Sequence, residues 1–106
     1  MDESQLIEQL KAVSFPTLGH FLEEGFADSQ LRAMVPHVKV VGRALTLKLV
    51  GADAIAVNQA LALIQPGDVL VIDTGGDWQH APVGAVTSCA ASCAGAVGIV
   101  VDGAVT

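Results

Sequence analysis

The sequence predicts an α/β fold with parallel strands, on three observations in its second half. Two apolar runs, Val69 to Ile72 and Ile99 to Val101, are short and uniformly apolar, as strands buried on both faces are. Between them lies a stretch of small residues opened by Pro82 and Gly84, with the make-up of a crossover helix. Each run then meets an Asp and a Gly (Asp73 with the Gly75-Gly76 loop, Asp102 with Gly103), at the edge where α/β folds place ligand sites.

The earlier elements follow in order. Leu6, Ile7, Leu10 and Val13 make a helical apolar stripe over Ser4 to Val13, with Glu and Lys opposite. Pro16 is expected to interrupt, and Thr17 to Glu24 reads as a second short helix stopped by Gly25. Val38 to Val50 is strand-like: Leu45, Leu47 and Leu49 alternate with Thr46 and Lys48, and Gly42 marks a bend or bulge. Asp53 is placed to cap a helix over Ala54 to Ile64, which Pro66-Gly67 ends. The Pro66-Gly67-Asp68 turn then launches the first buried run. No internal repeat, linker or low-complexity tract interrupts this order, and 106 residues are expected to form one domain.

Charge and hydropathy exclude several classes. A formal charge of -6 with five scattered basic residues (Lys11, Arg32, Lys39, Arg43, Lys48) gives no nucleic-acid surface. The apolar stretch Ala94 to Val101 is too short to span a membrane. An acidic start, Met1-Asp2-Glu3-Ser4, is not a signal peptide, so the cytoplasm is the expected location. Cys89 and Cys93, four apart on the predicted helix, lack the further ligands a zinc site needs and the C-x-x-C spacing of redox pairs. They are expected to be core packing residues.

Among candidate functional residues, the helix start Gly84-Ala85-Val86-Thr87 ranks first. Free amides there attract anions such as carboxylates, and Gly84 lets a ligand approach the backbone. The competing reading, a close helix–sheet contact at Gly84, is favoured by the residues alone. His80, beside Asp77 and Trp78, could reach a ligand as an acid or base, but the residues alone favour an exposed loop histidine without a role. His20 and His37 have no nucleophile to pair with, Ser88 and Ser92 lack the G-x-S-x-G context of a hydrolase, and Glu23-Glu24 reads as a solvated helix end. Asp73 and Asp102 are better placed than any of these.

Taken together, three blocks resemble the RraA-like family: Leu61-Ala62-Leu63-Ile64-Gln65-Pro66-Gly67-Asp68-Val69-Leu70-Val71-Ile72-Asp73, the Gly75-Gly76-Asp77 loop, and Gly98-Ile99-Val100-Val101-Asp102-Gly103-Ala104-Val105. Pro16-Thr17-Leu18-Gly19-His20-Phe21-Leu22 fits the opening helix of that family. The family includes the regulator of ribonuclease E activity and the class II 4-hydroxy-4-methyl-2-oxoglutarate aldolases, and has also carried the label dimethylmenaquinone methyltransferase. Its members are usually longer, so the resemblance implies that this chain is the N-terminal part of one.

The resemblance implies a swivelling β/β/α domain, here incomplete at the C-terminus, in a homotrimer with sites between subunits. It implies cleavage of 4-hydroxy-2-oxo acids to pyruvate, with oxaloacetate decarboxylation as a side activity, aided by a divalent cation (Mg²⁺ or Mn²⁺). The substrate-binding positions it assigns are Gly84, Ala85, Val86, Thr87 and Thr106, with no catalytic residue and no metal ligand assigned within the chain. Two of these positions depart from the family pattern. Ala85 stands where an acidic residue is usual, Thr106 stands where an Arg is usual, and the metal-anchoring Asp would follow at the next position. The alternative the resemblance leaves open is a non-catalytic regulatory relative that binds a protein partner such as a ribonuclease, to which the acidic surface is suited.

Overall fold

Three parallel strands and four helices are laid down in the order α1 (Glu3–Ala12), α2 (Phe15–Phe21), β1 (Ala44–Lys48), α3 (Ala54–Leu63), β2 (Val69–Asp73), α4 (Ala85–Cys93) and β3 (Gly98–Val101) in the computed structural model, which describes residues 1–106. The chain divides into two compact units, Met1–Val41 and Gly42–Thr106.

The first unit holds α1 and α2. Asp2 caps α1 through a reciprocal pair: its carboxylate accepts from the Gln5 amide at 2.8 Å, and the Gln5 side chain accepts from the Asp2 amide at 3.0 Å. At the other end the Lys39 ammonium donates to the carbonyls of Lys11 and Val13 at 2.8 and 2.6 Å, placing a cation where the helix dipole is negative. It also lies 5.3 Å from the centre of the Phe15 ring. The second helix begins earlier than its sequence suggests. Ser14 is the N-cap, accepting from the Thr17 amide, and Pro16 lies in the first turn rather than interrupting. A first-turn proline forfeits no intrahelical hydrogen bond, which explains the correction. The helix also ends at Phe21, ahead of Glu23, Glu24 and Gly25, so Gly25 does not stop it.

The second unit is built on the sheet, in the order β1-β2-β3 with every pair parallel. Leu45 faces Leu70 and Leu70 faces Ile99, so one residue from each strand lies in a common row. The centre of the core is on β2, where Leu70 and Ile72 are fully buried, each worth about 1.5–3 kcal/mol relative to exposure. Leu49, Val57, Ala60, Ile64, Val83 and Ala91 complete it, with Leu45, Leu47, Ile99 and Val101 packed around. Helix α3 starts where Asp53 accepts from the Ala56 amide at 3.0 Å, as its sequence indicates.

The first strand is shorter than the run Val38 to Val50. It pairs only over Ala44–Lys48, because the approach at Gly42 is used differently. A side chain at Gly42 would place its Cβ 2.2 Å from the Gly67 carbonyl oxygen, so this glycine permits a close backbone crossing rather than forming a bulge.

That crossing belongs to the amino edge of the sheet, which a part-buried ion pair closes. Arg43 Nε and Nη2 donate to the two carboxylate oxygens of Asp68 at 2.9 and 2.7 Å, and the Gln65 amide donates to the same carboxylate at 2.9 Å. Asp68 is only 2% exposed. Its carboxyl is held below the ordinary range chiefly by the Arg43 hydrogen bonds, then by the Gln65 amide, and burial opposes both.

Candidate functional site

The carboxyl edge of the same sheet is organised by loop carboxylates. Asp73, the last residue of β2, accepts from the Gly75 amide at 2.8 Å. Thr74 is buried; its amide donates to the Asp102 carboxylate at 2.7 Å and its hydroxyl to the Asp102 carbonyl at 3.4 Å. The Thr74 amide is the main reason the Asp102 carboxyl lies below its ordinary range. Asp73 and Asp102 thus fasten the loops after β2 and β3. No group of three or more His, Cys, Asp or Glu side chains comes together that could hold a metal.

Next along the chain, Asp77 accepts from the Gln79 amide at 2.9 Å through one carboxylate oxygen and pairs with His80 Nδ1 at 2.7 Å through the other. The Gln79 amide, then His80, hold the Asp77 carboxyl below its ordinary range. An ionised carboxylate only accepts, so Nδ1 is the donor, and in the neutral ring the other nitrogen, Nε2, carries the lone pair. Both side chains line a cavity of about 190 Å³ bounded by Leu49, Val57, Thr74 and Thr87.

Helix α4 opens beside this cavity. Gly84 is its N-cap in an extended conformation and offers no capping side chain, so the first-turn amides have no side-chain acceptor. Pro82 precedes the helix instead of opening it, because Val83 is taken into a parallel bridge with Val105. The Thr106 amide donates to the Val83 carbonyl at 3.1 Å. As a result Thr106 lies directly against the helix start: a Cβ added at Gly84 would stand 2.6 Å from the Thr106 hydroxyl. The five positions named from the sequence, Gly84, Ala85, Val86, Thr87 and Thr106, are therefore brought to one place. The close contact at Gly84 is real as well, but its partner is Thr106.

Other candidates go elsewhere. Cys89 and Cys93 are exposed, which corrects the expectation that they are core. They do share a face, but the buried side of α4 is set by Ala91, with Thr87 and Ala94 half-buried on the same side. Small size told nothing about the helix phase. Ser88 and Ser92 are also exposed, and His20 and His37 belong to the first unit. No helix is long and apolar enough to cross a membrane.

Residues 4–105 match the RraA-like family, described as Aldolase/RraA. Over 77 residues the chain is 38% identical to a Halalkalibacterium halodurans protein whose name reads "Putative 4-hydroxy-4-methyl-2-oxoglutarate aldolase". That match covers 73% of this chain and 37% of the relative, so the chain spans well under half the relative's length. With a match across nearly its whole length and a parallel α/β sheet to carry it, this chain belongs to the RraA-like family.

Proposed function

We propose that this chain carries the oxo-acid-binding part of a 4-hydroxy-4-methyl-2-oxoglutarate aldolase, a lyase that releases pyruvate and decarboxylates oxaloacetate through the same enolate. The observation that carries this reading is the meeting of Thr106 with the uncapped start of α4 at the carboxyl edge of the sheet. A substrate carboxylate placed there would accept from the main-chain amides of Ala85, Val86 and Thr87 at the positive end of the helix dipole. The Thr106 hydroxyl would add one hydrogen bond. In this reading the protein works in the cytoplasm as a homotrimer, and exposed apolar residues such as Val50, Ile55 and Val86 are the kind of surface an assembly covers.

The family resemblance brings a divalent cation, but the side chains here do not fit one: no three His, Cys, Asp or Glu side chains come together to ligate it. No step is therefore assigned to a metal held by these residues. What they supply is binding and orientation of the oxo acid. A helix terminus alone contributes on the order of 1 kcal/mol. Thr106 provides no fixed cation and Ala85 no proton, so affinity and turnover are both expected to be low.

Those two residues favour a second reading, in which the chain is a non-catalytic regulatory relative that keeps the fold and binds a protein partner. Titration with oxalate, followed by the amide resonances of Gly84 to Thr87, together with an assay of pyruvate release from 4-hydroxy-4-methyl-2-oxoglutarate, separates the cases. Amide shifts at millimolar oxalate with slow pyruvate release support the lyase. Shifts without release support the second reading. Silent amides, with shifts elsewhere, defeat the cradle.

A further inference from the structure

The cavity beside α4 contains a group that the carboxylate cradle does not use. Asp77 and His80 both line it, 2.7 Å apart, and the His80 ring makes no other hydrogen bond. With Nδ1 donating to Asp77, the free nitrogen is Nε2, which in the neutral ring is an acceptor on the opposite side. The remaining walls carry apolar (Leu49, Val57), hydroxyl (Thr74, Thr87), amide (Asn58) and carboxylate (Asp53) side chains. The charged or titratable groups on those walls are Asp53, Asp77 and His80, so the cavity offers acceptors to a hydroxyl and no cation to a second carboxylate. Thr87 is the link. It lies in the first turn of α4 and also lines the cavity, so an anion held at the helix start lies next to the cavity that His80 lines.

We propose that this cavity seats the hydroxyl-bearing end of a 4-hydroxy-2-oxo acid, with His80 Nε2, fixed in orientation by Asp77, as the acceptor of the hydroxyl proton. The proposal rests on the oxo-acid reading above and gives that reading its proton acceptor. In the cleavage direction Nε2 takes the proton from the C4 hydroxyl, and the O–H electron pair becomes the second bond of the new C4 carbonyl. The C3–C4 bond breaks, and its pair forms the C2–C3 double bond of the enolate, with the negative charge on the C2 oxygen. Return of the proton from His80 to C3 gives pyruvate and restores the neutral imidazole, so atoms and electrons balance with no further reactant.

The test compares two probes on the intact chain at pH 8, where an imidazole is ordinarily neutral. Oxalate carries carboxylates only, whereas malate adds a hydroxyl. Nitrogen resonances of the His80 ring and amides of Gly84 to Thr87 are followed together, in wild type, His80→Gln and Asp77→Asn. Both probes should move the helix-start amides, and malate alone should move Nε2. His80→Gln should weaken malate by about 3- to 10-fold, the worth of one hydrogen bond, and leave oxalate unchanged. Asp77→Asn should raise the share of the tautomer protonated on Nε2. If the amides move but His80 stays silent, or His80→Gln binds malate as well as wild type does, the proton-acceptor role is wrong and the oxo-acid reading stands. If the amides ignore both probes, the oxo-acid reading falls and takes this proposal with it.

Discussion

The two edges of the sheet use aspartates in opposite ways. At the amino edge Asp68 is sealed from water and both its oxygens are taken by Arg43, with the Gln65 amide as a third donor. At the carboxyl edge Asp73, Asp77 and Asp102 are each bound by loop amides. No arginine reaches any of these three, and Asp77 lines a cavity beside an uncapped helix start. A closed edge holds the strands in register, and an edge fastened only through its loops leaves donors and acceptors for something else. The two edges are thus distinguished by what satisfies the carboxylates, since aspartates stand at both.

The contrast is broken most severely at Arg43. Arg43→Met would leave Asp68 buried without its cation, and a loss of about 2–4 kcal/mol in unfolding free energy is expected, tempered because Arg43 is part-exposed. Urea denaturation measures it directly, and a loss below 1 kcal/mol would mean that the pair is dispensable. Acid probes the same bond without mutation. The folded carboxyl of Asp68 lies below its unfolded value, so its stabilising effect is complete above the ordinary carboxylate range and disappears as pH falls through the depressed folded pKa. Wild-type stability should therefore decline below about pH 4, and Arg43→Met should flatten that decline.

A smaller loss is expected at the backbone crossing of the same edge. Gly42→Ala must push its methyl into the Gly67 carbonyl, which is main chain and cannot rotate away, costing about 1–3 kcal/mol. A thermal midpoint equal to that of wild type would show that the crossing is slack. The smallest effect is the one that sharpens the contrast: Thr106→Arg would give the open edge the cation it lacks. Oxalate affinity should rise about 3- to 10-fold by calorimetry with little change in stability, because a guanidinium adds charge-assisted bonds to a carboxylate. An unchanged affinity would place the anion somewhere other than the start of α4.

Much of this is legible in the sequence where the signal is local. The runs Val69 to Ile72 and Ile99 to Val101 announce parallel strands through their uniform apolarity, and Asp53 announces a helix three residues before its hydrogen bond closes. Gly84 and Thr106 could be linked only through the family pattern, since their meeting depends on the bridge between Val83 and Val105 across the whole α4–β3 unit. The Arg43–Asp68 pair carried no local signal, being 25 residues apart in the chain. The cysteines were misplaced for a different reason: alanines and cysteines alike are small enough for either side of a helix, so only contact with the sheet fixes which side turns inward.

The bridge between Val83 and Val105 also acts as a ruler. It fixes position 106 beside the helix start by backbone pairing alone, whatever side chain stands there. Substitution at 106 is therefore free to change the chemistry offered to an anion without moving the place where it is offered. Insertion or deletion between Val101 and Val105 has the reverse character. With β3 held in register by β2, one residue gained or lost there brings a different residue beside Gly84. A lineage of such chains can exchange residues at this point freely while its spacing is held almost fixed.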